Sequence, residues 1–158
     1  SKIELLAFDV DGVLTDGGLY YDHNGNESKR FHAQDGHGIK ILQSIDVEIM
    51  IISGRYSKCV KQRGEELGIQ RIIQGSRDKL KSFHEQNINL PKENVCYVGD
   101  DTVDVELLQY CGLSVIVPNA TPILNLLNFD WVTPRQGGNG AIRDICDLIY
   151  FSKIINAQ

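Results

Sequence analysis

The chain has 158 residues, 42% of them hydrophobic, with 16 Lys and Arg against 21 Asp and Glu for a net charge of −5. That length suits one domain with a real core, and the acidic balance argues against a nucleic-acid partner, whose phosphate backbone calls for clustered cations. No apolar run is long enough to span a bilayer, and the chain enters a strand pattern without a secretion signal, so a cytoplasmic protein with no membrane partner is expected.

Ile3 to Phe8 is a continuous apolar run, the pattern of a strand buried on both faces. It runs out into Asp9-Val10-Asp11-Gly12-Val13-Leu14-Thr15-Asp16. Asp-Gly pairs are common turn formers, and a solvated surface turn is the plain alternative. At the carboxyl end of a buried parallel strand, however, two carboxylates face the crevice where open α/β sheets bind ligands. Their mutual repulsion then needs a cation, and an oxygen-only pair suits Mg²⁺.

Between Leu19 and Phe31, Asn24-Gly25 separates two candidate arms, a strong hairpin signal. Leu19, Tyr20, Tyr21 and Phe31 are too few to form a core of their own, so this flap needs another surface, such as a partner subunit. A helix is expected from Gly36 to Ser44, with Asp35 placed either to cap it or to meet a substrate. The run Val47 to Ile52 ends in Ser53-Gly54-Arg55, and Val95 to Val98 ends in Gly99-Asp100-Asp101-Thr102-Val103-Asp104. Helices are expected over Lys58 to Leu67, Arg77 to Gln86, Thr102 to Tyr110 and Ala141 to Ile155, and further strands over Arg71 to Ile73, Leu113 to Val117 and Trp131 to Thr133. Lys79 falls in the first turn of the Arg77 helix, where a lysine is ordinarily solvated. Strands alternating with helices predict an α/β fold with a doubly wound, mostly parallel sheet. Four widely spaced cysteines without a Cys-x-x-Cys pair are expected to be reduced thiols, and the four histidines lack zinc-site spacing.

The sequence of Asp9-x-Asp11, Ser53, Lys79 and the acidic cluster Asp100 to Asp104 resembles the four ordered motifs of the haloacid dehalogenase superfamily of phosphotransferases. Within it, Asp9 to Gly17, Lys29-Arg30-Phe31 with Asp35-Gly36-His37-Gly38-Ile39-Lys40, Gly99-Asp100-Asp101 and Gly137-Gly138-Asn139-Gly140-Ala141-Ile142-Arg143 are similar to the 3-deoxy-D-manno-octulosonate 8-phosphate phosphatases. The resemblance implies a Rossmann-like domain over residues 1–158 with a hairpin flap at about 17–34 and a C-terminal tail at about 134–158. The chain is too short to add a large separate cap domain.

The implied activity is Mg²⁺-dependent hydrolysis of a keto sugar acid phosphate, most nearly 3-deoxy-D-manno-octulosonate 8-phosphate. In that reading Asp9 is the nucleophile and Asp11 protonates the leaving oxygen and then activates water. Asp9, the Asp11 backbone carbonyl and Asp100 hold the metal, and Ser53 and the Gly54 N–H contact the phosphoryl group. Lys79 offsets the anionic cluster, while Asp101 and Asp104 orient metal waters and Lys79. Arg55, Arg135 and Arg143 are candidate partners for a substrate carboxylate, and Arg143 fits the family pattern best. The resemblance also implies a homotetramer in which flaps assemble together and a neighbour's tail helps close each site. Asn139 and Asp144 depart from the usual tail, which leaves open a nonulosonate 9-phosphate substrate. A nucleic-acid 3′-phosphatase conflicts with the acidic charge. A non-catalytic oligomerisation module conflicts with intact Asp9, Asp11, Ser53, Lys79 and Asp100. Taken singly, Ser53 could cap a helix, Asp100 and Asp101 could form turns, and Asp104 could favour a helix dipole.

Overall fold

A computed structural model describes residues 1–157. In chain order its elements are β1 (Leu5–Phe8), the hairpin arms β2 (Tyr20–Tyr21) and β3 (Glu27–Ser28), α1 (Ala33–Gln43), β4 (Glu48–Ile52), α2 (Lys58–Glu66), β5 (Arg71–Ile73) and α3 (Lys79–His84). There follow β6 (Val95–Gly99), α4 (Val105–Tyr110), β7 (Leu113–Ile116), β8 (Trp131–Val132) and α5 (Ala141–Ile155). Six strands form one parallel sheet in the order β5-β4-β1-β6-β7-β8. The path leaves β1 towards β4 and β5, then returns to its other side with β6, so β1 is the switch point of a doubly wound sheet. Phe8 pairs with Ile51 on β4 and with Val98 on β6. This register brings the residues after β1, β4 and β6 to the same rim.

Both faces of the sheet are covered, which is why the strands are continuous apolar runs rather than alternating ones. Leu6, Phe8, Ile49 and Ile51 pack with Ile39 and Leu42 of α1 and with Ile142, Ile145 and Ile149 of α5. Leu5, Ala7, Met50 and Ile52 face Phe83 of α3 and Leu107 and Leu108 of α4. Truncating one of these large aliphatic side chains to Ala would cost about 2–5 kcal/mol, which is a large part of a domain's stability.

Local chemistry shifts several boundaries. α1 starts a turn before the expected Gly36 because His32 caps it, its Nδ1 accepting from the Gln34 N–H at 3.2 Å. Asp35 is therefore not the cap. It is buried, and its Oδ1 accepts the Arg143 N–H at the start of α5 (2.9 Å). The hairpin has two-residue arms and a longer loop than Asn-Gly alone suggests, because the Asp22 carboxylate accepts the N–H groups of Asn24 and Asn26 (both 2.9 Å). α3 begins at Lys79, after Asp78 caps it by accepting the Lys81 N–H at 2.9 Å. Thr102–Asp104 is a single 3-10 turn ahead of α4. Among the described residues no helix is long and apolar enough to cross a membrane.

Candidate active site

The rim above β1, β4 and β6 holds a cleft of about 320 Å³ lined by Asp9, Asp11, Ser53, Gly54, Arg55, Lys79, Asp100 and Asp101 among others. Asp9 leaves β1 with Oδ1 accepting its neighbour's N–H, from Val10, at 2.7 Å. Lys79, expected to be solvated from composition alone, is only 3% exposed. Its Nζ lies 3.0 Å from Asp9 Oδ1 and donates to Asp104 Oδ1 at 2.7 Å. The second anchor on Asp104 Oδ1 is the Tyr97 hydroxyl at 2.6 Å, from inside β6. The other oxygen, Oδ2, accepts the N–H groups of Asp100 and Asp101 at 3.0 and 3.1 Å. Asp104 is thus fully engaged, and its task is to hold Lys79 and the acidic loop.

Asp100 is different. Its Oδ1 is buried without a hydrogen-bond partner, and it stands with Asp9 and Asp104 so that one oxygen of each lies within 4.8 Å of the others. Burial, then repulsion from Asp9 and Asp104, raises Asp100 to about 8. Burial and the Asp104 charge likewise raise Asp9 to about 6, against the opposing pull of Lys79. Burial works to lower Lys79, but Asp9 and Asp104 outweigh it and hold the ammonium above its ordinary value. A divalent cation with oxygen preference fits this donor set, because it would complete Asp100 and relieve the repulsion. Gly12 presses against the same carboxylate: a Cβ there would lie 2.0 Å from Asp100 Oδ2, and its φ of +86° already favours glycine.

Asp11 faces a second cluster. Its Oδ1 accepts from Lys29 Nζ at 2.5 Å and its Oδ2 from Arg55 Nη1 at 3.4 Å. Glu27 closes the ring, with Oε1 3.2 Å from Lys29 Nζ and Oε2 accepting from Arg55 Nη2 at 2.7 Å. Burial opposes ionisation of Glu27, yet bonds from Arg55, Ser57 and Lys29 hold it down at about 2.

Ser53 is tied to β5 rather than to a helix: its N–H donates to the Ile73 carbonyl (2.8 Å) and its carbonyl accepts from the Ser76 N–H (3.0 Å). The cap of α2 is Ser57, so the capping alternative for Ser53 does not hold. Asp101 does cap the 3-10 turn, accepting the Thr102 N–H at 2.7 Å. The two other arginines lie outside this cleft. Arg135 pairs with Asp144 (2.6 Å), and Arg143 Nε donates to Asp147 at 2.7 Å. The glycine tail instead packs on the motif loop of its own chain, where a Cβ on Gly137 would lie 1.8 Å from the Gly12 carbonyl oxygen.

Sequence reasoning missed Tyr97, Glu27 and Lys29, and also Asn119, whose Nδ2 donates to the Gly12 carbonyl at 2.8 Å. A phenol within a buried strand needs a partner for its hydroxyl, which was a usable signal for Tyr97. The flap residues carried none beyond their family likeness.

A model of the haloacid dehalogenase-like hydrolases matches residues 77–143. Over 154 residues the chain is 43% identical to the 3-deoxy-D-manno-octulosonate 8-phosphate phosphatase KdsC of Escherichia coli (strain K12), covering 96% of this chain and 81% of that protein. The crystal structure of the phosphatase of that name from Yersinia pestis superposes with a TM-score of 0.92 at 41% identity, covering 96% of this chain and 82% of that one. This chain belongs to the 3-deoxy-D-manno-octulosonate 8-phosphate phosphatase family. It is a phosphatase, a phosphoric monoester hydrolase, and its Asp9, Asp100 and Asp104 form a group that could hold a metal ion. The family's structure from Moraxella catarrhalis, 36% identical with a TM-score of 0.90 over 99% of this chain and 94% of that one, is a complex with a magnesium ion, a phosphate ion and KDO.

Proposed function

We propose that this chain hydrolyses 3-deoxy-D-manno-octulosonate 8-phosphate to the free sugar acid and inorganic phosphate. The observation that carries this reading is one cleft holding Asp9, Asp11, Ser53, Lys79 and Asp100 in a chain 43% identical to a phosphatase named for that substrate.

An Asp9 oxygen attacks phosphorus in line as the ester P–O bond breaks, and the departing alkoxide takes a proton from Asp11. Water then attacks the aspartyl-phosphate, giving its proton back to Asp11 and releasing phosphate. Lys79, held by Asp104, fixes the attacking carboxylate and offsets phosphoryl charge. Ser53 and the Gly54 N–H donate to phosphoryl oxygens. Asp9, the Asp11 backbone carbonyl and Asp100 would hold Mg²⁺, which when bound neutralises charge on the transferring group. Asp101 steadies the acidic loop through its cap.

Arg55 is the guanidinium in this cleft for the sugar carboxylate, and Arg143 serves a neighbouring subunit's site. A homotetramer supports that sharing, because Leu19, Tyr20 and Tyr21 on the flap are 51%, 44% and 57% exposed and need cover. A cytoplasmic setting fits the four free cysteines.

Phosphate release from a panel of phosphorylated keto sugar acids, with Mg²⁺ or with EDTA, tests the assignment. The eight-carbon ester should turn over fastest and EDTA should stop it; faster turnover of a nonulosonate 9-phosphate would replace the substrate. Light scattering should report a tetramer that Ser at Tyr20 and Tyr21 weakens. Mixed oligomers of Asp9→Asn and Arg143→Ala subunits should regain activity if sites are shared, and a flat result would remove Arg143 from them.

A further inference from the structure

The loop joining β7 to β8 touches both halves of the cation site from behind. Asn119 Nδ2 donates to the Gly12 carbonyl at 2.8 Å. Two residues later the Thr121 N–H donates to the Asp100 carbonyl, also at 2.8 Å. Gly12 directly follows Asp11, and Asp100 carries the unpartnered oxygen, so one short loop spans the two segments that would supply metal donors. The loop is itself braced. Its Ala120 N–H returns to the carbonyl of buried Val117 (3.0 Å), and Asn119 Oδ1 accepts the Gly137 N–H (2.8 Å). Between the spanned segments there is no slack, given how closely Gly12 approaches the Asp100 carboxylate.

Spacing matters differently to different cations. Mg²⁺ demands near-ideal octahedral geometry with oxygens at about 2.0–2.1 Å, whereas Ca²⁺ accepts irregular shells at about 2.3–2.6 Å. A site whose segments are held at fixed separation therefore discriminates, and one that can relax does not. We propose that Asn119 is a positioning residue that sets the separation of the Asp11 carbonyl from the Asp100 carboxylate, and that it thereby makes the site select Mg²⁺ over Ca²⁺. The proposal rests on the metal reading of the cleft. Asn119 works like one jaw of a caliper, with the Thr121 N–H as the other; only the first can be removed by changing a side chain.

The test is calorimetric titration of the full chain with Mg²⁺ and, separately, with Ca²⁺, for the parent, Asn119→Ala and the near-isosteric Asn119→Leu. Loss of an outer-shell support costs about 10-fold or more in metal affinity, so the Mg²⁺ dissociation constant should rise about 10-fold. That for Ca²⁺ should change by less than about threefold, because its shell tolerates the relaxed spacing. A purely structural role would lower the melting temperature and leave the Mg²⁺ to Ca²⁺ ratio where it was, and that result in a folded variant would overturn the proposal. Equal losses for both ions would overturn it too. If neither variant gives a native circular dichroism spectrum, Asn119 is a residue the fold requires and the selectivity role is withdrawn. A parent that binds no Mg²⁺ would instead bring down the metal reading, and this inference with it.

Discussion

Two clusters in the cleft each clasp a lysine between carboxylates, and they differ in charge and in support. Around Lys79 stand Asp9 and Asp104, with Asp100 beside them, three carboxylates to one ammonium and so two negative charges in excess when all three are ionised. Around Lys29 stand Asp11 and Glu27, and Arg55 bridges the same two, so the ring is neutral. The first cluster is anchored on β1, α3 and β6, the second on the helical turn Val10–Leu14 that follows β1, on β3 and on the loop after β4. That excess is what a divalent cation would offset, and anchoring on three elements suits the in-line attack proposed for Asp9. The neutral ring asks for no ion.

The most severe way to test the division is Asp9→Asn, which should reduce phosphate release to background, a loss of about 10⁴-fold or more, with an unchanged circular dichroism spectrum, since the amide cannot act as nucleophile. Appreciable turnover would mean that the rigid cluster does not supply the attacking group. Lys79→Met comes next. It leaves Asp9 and Asp104 buried with no cation, and breaking such a pair costs about 3–5 kcal/mol; urea unfolding should show that loss, together with a fall in activity of about 10³-fold.

Lys29→Met sharpens the contrast, because Arg55 still bridges Asp11 and Glu27. The expected cost is about 1–2 kcal/mol, the scale of a lost charged hydrogen bond, and about 10-fold in kcat. A loss in urea as large as that of Lys79→Met would erase the distinction between the clusters. The smallest effect concerns pH. In EDTA, Asp9 and Asp100 stand at about 6 and about 8 in the fold, against 3.8 ordinarily. The folded chain therefore binds more protons than the unfolded one in this window, and the stability these groups contribute is complete below about pH 4 and is lost as pH rises towards 8. Melting temperatures in EDTA should fall by a few degrees across pH 5 to 8, and Mg²⁺ should flatten the decline; a rise in EDTA would contradict the assignment.

The sheet and the rim were legible because continuous apolar runs ending in polar, glycine-bearing segments have few other physical outcomes. Val47 to Ile52 and Val95 to Val98 differ from the strands observed by one residue at a single end. Boundaries set by a single side chain were not: nothing in the pattern says that His32 rather than Asp35 caps α1. The cleft residues were legible as an ordered set, and the structure brings most of them together, but their supports were hidden. Asn119 and Lys29 act through contacts between separate segments of the chain, which neither periodicity nor local propensity encodes. Arg143 is a different case: within its own chain it pairs with Asp147, and the role in a neighbouring subunit's site that the family segment points to would show only in the assembly.

The tail's place on the motif loop also governs when this molecule can become competent. Asn119 meets Gly12 across 107 positions, and Arg30 meets the Gly138 carbonyl across 108 (2.9 Å). Contacts of that separation form late, after the local pieces of the chain have closed. A ribosome that has released the chain through Asp104 has delivered every carboxylate of the cleft, yet the brace behind Gly12 is still unsynthesised. Emergence of Asn119 and of Gly137 behind it, not of the aspartates, would therefore complete the metal site proposed for Asp9, Asp11 and Asp100, and a chain stalled before Asn119 would carry the full set of acidic residues without their brace.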